Sequence, residues 1–96
     1  MDIYTLDDEN NVIPRSMDTF RELPFERRVV KQEAVGTFFV STVFLELDHR
    51  FGKDGPLIVF ETAVQDPKDN FDVVRRYSTW EDAEKGHKEV VAELIK

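Results

Sequence analysis

From Trp80 onward the apolar residues recur at the period of an α-helix, with Trp80, Ala83, Val90, Val91 and Leu94 on one stripe. His87 falls inside that stripe, four residues after Ala83 and three before Val90. A helix with a single apolar stripe must lay it on a second layer. An imidazole on the stripe must find a hydrogen-bond partner or a metal ion in that layer. The helix start is well marked, because Ser78 with Glu81 and Thr79 with Asp82 both have capping-box spacing. Glu81–Lys85 and Glu84–Lys88 are expected as i,i+4 pairs on the solvent side. Gly86 costs about 1 kcal/mol relative to alanine inside a helix. Two readings fit it: a close approach of the sheet beside His87, or a tolerated flaw.

The layer beneath the helix is expected to be a sheet. Thr37 to His49 reads T-F-F-V-S-T-V-F-L-E-L-D-H, rich in β-branched and aromatic residues and without a breaker. Gly52 to Pro56 is a loop, Leu57 to Val64 a second apolar strand, Gln65 to Asn70 a polar turn, and Phe71 to Tyr77 a further strand. Arg27 to Glu33 is a charged strand before a turn at Ala34-Val35-Gly36. Strands in sequence with short loops imply an antiparallel meander. Upstream, Ile3 to Leu6 and Val12-Ile13 pair across the polar run Asp7 to Asn11, and Ser16 caps a short helix around Met17 to Leu23 that Pro24 stops. The expected fold is α+β: one domain over 1–96, an antiparallel sheet of about four to five strands, a short N-terminal helix, and the C-terminal helix packed on one face.

Ninety-six residues, 41% of them hydrophobic and eight of them Phe, suffice for one thin core. The chain has no cysteine, which removes disulfides, thiolate zinc sites and thiol nucleophiles. Thirteen basic against twenty acidic residues give a net charge of −7. Such a surface repels nucleic-acid phosphates and suits a basic protein surface, including one that normally holds nucleic acid; it also serves solubility. With no signal-peptide pattern and no apolar run of membrane-spanning length, a cytoplasmic protein without membrane contact is expected.

The candidate site depends on strand register. If Phe51 pairs with Leu57, then His49 faces Val59, Leu47 faces Glu61, and Val43, Leu45, Leu47, His49, Leu57, Val59 and Glu61 share one surface. The C-terminal helix on that surface would bring His87 to His49 and Glu61, with Asp48 turned inward by a bulge as a fourth group. Two imidazoles and two carboxylates suit Zn²⁺, or Fe²⁺, Mn²⁺ or Ni²⁺ in a more open geometry. Equally, Glu61 could accept hydrogen bonds from His49, His87, Tyr77 or Arg75 in a metal-free polar network. No H-E-x-x-H, EF-hand, P-loop or dinucleotide motif is present. The arginine pairs Arg27-Arg28 and Arg75-Arg76 read as cross-strand partners for acids. Phe38, Phe44, Ile58 and Phe60 fall on the face away from the helix, and need either the segment with Phe20, Leu23 and Phe25 as cover or a binding partner.

The strings S-T-V-F-L-E-L-D-H-R-F-G at 41–52, F-E-T at 60–62 and R-Y-S-T-W-E-D-A-E-K-G-H at 76–87 resemble a family of small phage, prophage and bacterial proteins. The resemblance covers 37–96, and its pattern includes the residues at Asp48, His49, Glu61 and His87. The family commonly has a small residue, often Gly, where this chain has Glu46, and a longer glycine-rich loop before the last strand. The resemblance implies a protein of the bacterial cytoplasm that binds and inhibits or modulates a host protein, such as a CRISPR effector nuclease. A small metal-dependent hydrolase and a purely structural interaction module are the alternatives.

Overall fold

A computed structural model describes residues 3–16, 23–50 and 54–95. Strands β1 (Tyr4–Leu6) and β2 (Val12–Pro14) form a hairpin, and the helical turn α1 (Phe25–Arg28) follows. The main sheet is an antiparallel meander of β3 (Val29–Val35), β4 (Phe38–Phe44), β5 (Phe60–Gln65) and β6 (Phe71–Tyr77), in that spatial order. Helix α2 (Trp80–Ile95) closes one face. The α+β expectation holds. No helix among the described residues is long and apolar enough to cross a membrane.

Two hairpins use one turn chemistry. In Asp7–Asn11 the aspartate carboxylate accepts the backbone N–H groups of Glu9 and Asn11, both at 2.9 Å, and the Asn11 side-chain amide at 3.1 Å. In 66–70 Asp66 accepts from Lys68 at 2.8 Å and from the Asn70 backbone and side chain, both at 3.0 Å. The residue before each asparagine, Asn10 or Asp69, is left-handed with φ near +65°. Asparagine and aspartate tolerate that conformation best after glycine, which explains the same D-x-x-x-N spacing in both turns.

The long apolar run does not stay one strand. Leu45 still donates to the Val59 carbonyl at 2.7 Å, but Glu46 has φ +67° and turns the chain away. Tyr4 then donates to the Glu46 carbonyl at 2.7 Å, and Leu47 bridges to Ile3. The Glu46 carboxylate is held by Arg28 at 2.6 Å and Arg15 at 3.4 Å. This break replaces the expected register. Val43 pairs with Glu61, Thr42 with Thr62 and Phe44 with Phe60, so Glu61 faces Val43 and not Leu47. Phe51 lies outside the described residues, as do Met17 to Arg21 and Glu22 of the expected N-terminal helix. Pro24 opens α1: it lies at the N-cap, and its carbonyl accepts the Arg27 N–H at 2.9 Å. A proline's fixed φ suits such an entry.

The helix covers the other sheet face from the one expected. Val40, Thr42, Phe44, Phe60 and Thr62 are buried beneath it. Leu6, Phe44, Val59, Phe60 and Ala83 form the core cluster, with the Phe44 and Phe60 ring centroids 5.2 Å apart and Trp80 edge-on to Phe60 at 6.2 Å. Burying each large apolar side chain contributes about 1.5–3 kcal/mol. Phe44 and Phe60 therefore need no second cover. The face opposite α2, which no described element covers, carries Phe39, Gln65 and Phe71 in one row and, in the next, Val73 beside the buried Ser41 and Ala63.

Helix α2 starts as expected, with the Asp82 N–H donating to Thr79 Oγ1 at 3.1 Å, and it buries Ala83, Gly86, His87 and Val90. A Cβ at Gly86 would overlap the Cε1, Cζ and Oη atoms of Tyr77. The close-approach reading is correct, although an aromatic ring makes the approach and not a strand backbone.

Candidate functional site

The row beneath α2 is polar at its centre. Thr42 and Thr62 are directly paired on β4 and β5, so their side chains point the same way, into the helix. Their Oγ1 atoms are 2.6 Å apart. Thr42 Oγ1 is 2.7 Å from His87 Nδ1, and His87 Nε2 is 2.8 Å from Glu33 Oε1. At the other end Thr62 Oγ1 is 2.9 Å from Tyr77 Oη. Each strand of the sheet and the helix thus supply one link: Tyr77, Thr62, Thr42, His87, Glu33. Both threonines are 0% exposed and His87 is 1% exposed.

Donor counting orients the row. If Nε2–H of a neutral imidazole donates to Glu33, Nδ1 accepts from Thr42, Thr42 accepts from Thr62, and Thr62 accepts from Tyr77. Every buried hydroxyl then donates, and no acceptor is needed from outside. Lys31 Nζ lies 3.9 Å from Glu33 Oε1 at the solvent end. Burial raises the Tyr77 pKa, partly opposed by its bond to Thr62, so the phenol keeps the proton that starts the row.

Threonine, histidine and glutamate are the residue types of a nucleophile–base–carboxylate triad. Here the hydroxyl is sealed under α2 and committed to a neighbouring hydroxyl, so no substrate can approach it. What the row does is satisfy a core imidazole. Replacing such a group's partners costs about 1–3 kcal/mol for each buried polar atom left unpaired.

The four expected ligands are dispersed. Only His87 belongs to the row. Glu61 lies on the uncovered face with Arg76 Nε at 3.9 Å, because it alternates with Thr62. His49 is exposed, and its backbone N–H donates to Ile58 at 2.8 Å. Asp48 accepts from the Arg50 N–H at 3.0 Å, Arg50 Nε at 2.6 Å and the Ile58 N–H at 3.1 Å, pinning the loop after β4. Burial works to raise its pKa, but those donors outweigh it and the net shift is downward. Among the described residues, no three His, Asp or Glu side chains are grouped to hold a metal ion. The expected convergence required Leu47 opposite Glu61, and the Glu46 turn prevents it. The carboxylate on His87 is Glu33, from the strand read as merely charged. Thr42 and Thr62 were hidden as ordinary strand formers; they lie 45 and 25 residues before His87 and give no local signal, although a lone histidine on a core stripe does demand hydrogen-bond partners.

Arg28, Arg75 and Arg76 find acids, Arg76 across strands at Glu61, whereas Arg27 meets the Asp7 carbonyl and the Asn10 amide oxygen. Arg75 reaches Glu89 at 3.0 Å and also Glu93 on α2. Arg27 and Arg28 lie in α1 and hold Asn10 and Glu46. Comparison with protein-family models, curated proteins and solved structures gives no match.

Proposed function

We propose that the protein is a non-enzymatic, phage-type binding protein that docks on a basic surface of a bacterial host protein and blocks it in the host cytoplasm. The observation that carries this reading is the sheet face opposite α2, which no described element covers. Phe71 is 57% exposed and Val73 44%, with Phe39 across Gln65 in the same row, on a sheet whose opposite face is closed by α2. Adjacent exposed apolar side chains on a rigid strand frame are what a docking patch presents. A net charge of −7 would steer such a patch toward a cationic partner. A nuclease groove that holds nucleic acid, including that of a CRISPR effector, has the complementary charge. The buried threonine–histidine row supports the frame and needs no part in the contact.

The test is reconstitution with purified effector nucleases. A complex that weakens with salt, blocks nucleic-acid loading and is lost in Phe71→Asp supports the proposal. Complexes unaffected by both salt and Phe71→Asp, or no complex with any effector, overturn it.

A further inference from the structure

A groove of about 660 Å³ runs between the β1–β2 turn and the start of α2. Its floor is apolar, made by Val12, Leu57 and Trp80, and its rim carries Glu9, Glu81 and Glu84. The indole is fixed by its edge-on contact with Phe60. The expected pairs Glu81–Lys85 and Glu84–Lys88 are not formed, and among the described residues none of the three rim carboxylates has a cation within 4.0 Å. Carboxylates without a cation partner thus line the same groove as the held indole.

We infer that this groove binds an arginine side chain of a basic peptide segment from a partner protein. A guanidinium satisfies both halves of the groove at once, stacking flat on the indole while its N–H fork meets the carboxylates. An ammonium would meet the carboxylates but stack less well. The inference is independent of docking through the uncovered sheet face, since the groove residues and Phe39, Phe71 and Val73 do not overlap.

Trp80 is the only tryptophan, so intrinsic fluorescence reads the groove directly. Titration of the intact protein with a tetra-arginine peptide at low ionic strength should change that fluorescence saturably, with tetra-lysine binding more weakly. Glu81→Gln/Glu84→Gln should weaken tetra-arginine binding by about tenfold, as expected when charge-assisted hydrogen bonds are lost. Circular dichroism confirms that this variant is folded, and glutamine keeps the helix propensity. Asp54→Asn/Asp72→Asn removes the same charge from exposed sites outside the groove and should leave binding within about twofold, the residual effect of screened long-range charge. No saturable change, equal binding by the groove variant, equal loss in the two double variants, or tetra-lysine binding as tightly as tetra-arginine each overturns the inference. Loss of nuclease binding in Phe71→Asp with tetra-arginine binding intact separates this site from the docking face.

Discussion

Gly86→Ala should destabilise the protein, against the usual trend for a mid-helix glycine. Helix propensity alone favours alanine by about 1 kcal/mol. Here the added methyl would occupy the space of Tyr77 Cε1, Cζ and Oη. The ring must swing outward, and the 2.9 Å bond from Tyr77 to Thr62 is lost with it. Overpacking costs about 1–3 kcal/mol and a partly buried neutral hydrogen bond about 1 kcal/mol. Set against the propensity gain, the net is a loss of about 1–3 kcal/mol. For a domain of this size, that corresponds to roughly 4–8 °C of Tm for each kcal/mol. Urea denaturation at constant m-value measures it. The background decides the reasoning. In Tyr77→Phe the ring remains and Gly86→Ala should still destabilise. In Tyr77→Ala the space opens and the same substitution should stabilise by about 1 kcal/mol. Gly86→Ala with one sign in both the wild-type and Tyr77→Ala backgrounds would refute the steric account.

Four further outcomes follow from the same geometry. His87→Ala should cost about 2–4 kcal/mol from the cavity and the broken row, and its effect should be strongly non-additive with Thr42→Val in a double-mutant cycle; additive losses would mean that the two side chains do not form one network. At the left-handed position 46, Glu46→Gly should be about 1 kcal/mol more stable than Glu46→Ala, since both lose the arginine contacts and only glycine relieves the backbone; the reverse order in chemical denaturation would remove the strain. The Tyr77 pKa is raised in the fold, so its contribution is full below pH about 10 and is lost as pH rises through the folded value; Tyr77→Phe should flatten that alkaline decline, and an unchanged slope counts against the buried phenol. Asp66 is lowered by its bonds to Asn70, so its contribution is present above pH about 4 and is lost as pH falls through the folded value; Asp66→Ala should flatten the acid limb of the unfolding midpoint plotted against pH, and a limb of unchanged steepness would detach the turn from acid stability.

Periodicity was enough to place α2 and its buried face, with the cap narrowed to Ser78 or Thr79, and alternation with turn chemistry was enough for the meander and the β1–β2 hairpin, because these signals act within a few residues of each other. Gly86 was legible as a local cost on the core stripe, but a close approach and a tolerated flaw fitted it equally until the Tyr77 ring was seen against it. Register was not local. Phe38 to Leu47 has apolar residues on both alternations, so the pattern permits either face to receive the helix, and only the left-handed turn at Glu46, clamped by Arg15 and Arg28, ends the strand early and sets Val43 opposite Glu61. Once that register holds, Thr42 and Thr62 become neighbours, and the face with two hydroxyls is the one that can take an imidazole without leaving it unsatisfied. The sequence therefore determined that a histidine would enter the core. Which residues meet it there, Glu33 and Thr42 with Thr62 behind, from three different strands, was decided only by tertiary pairing, since hydrogen-bond partners are chosen by distance in space and not by spacing along the chain.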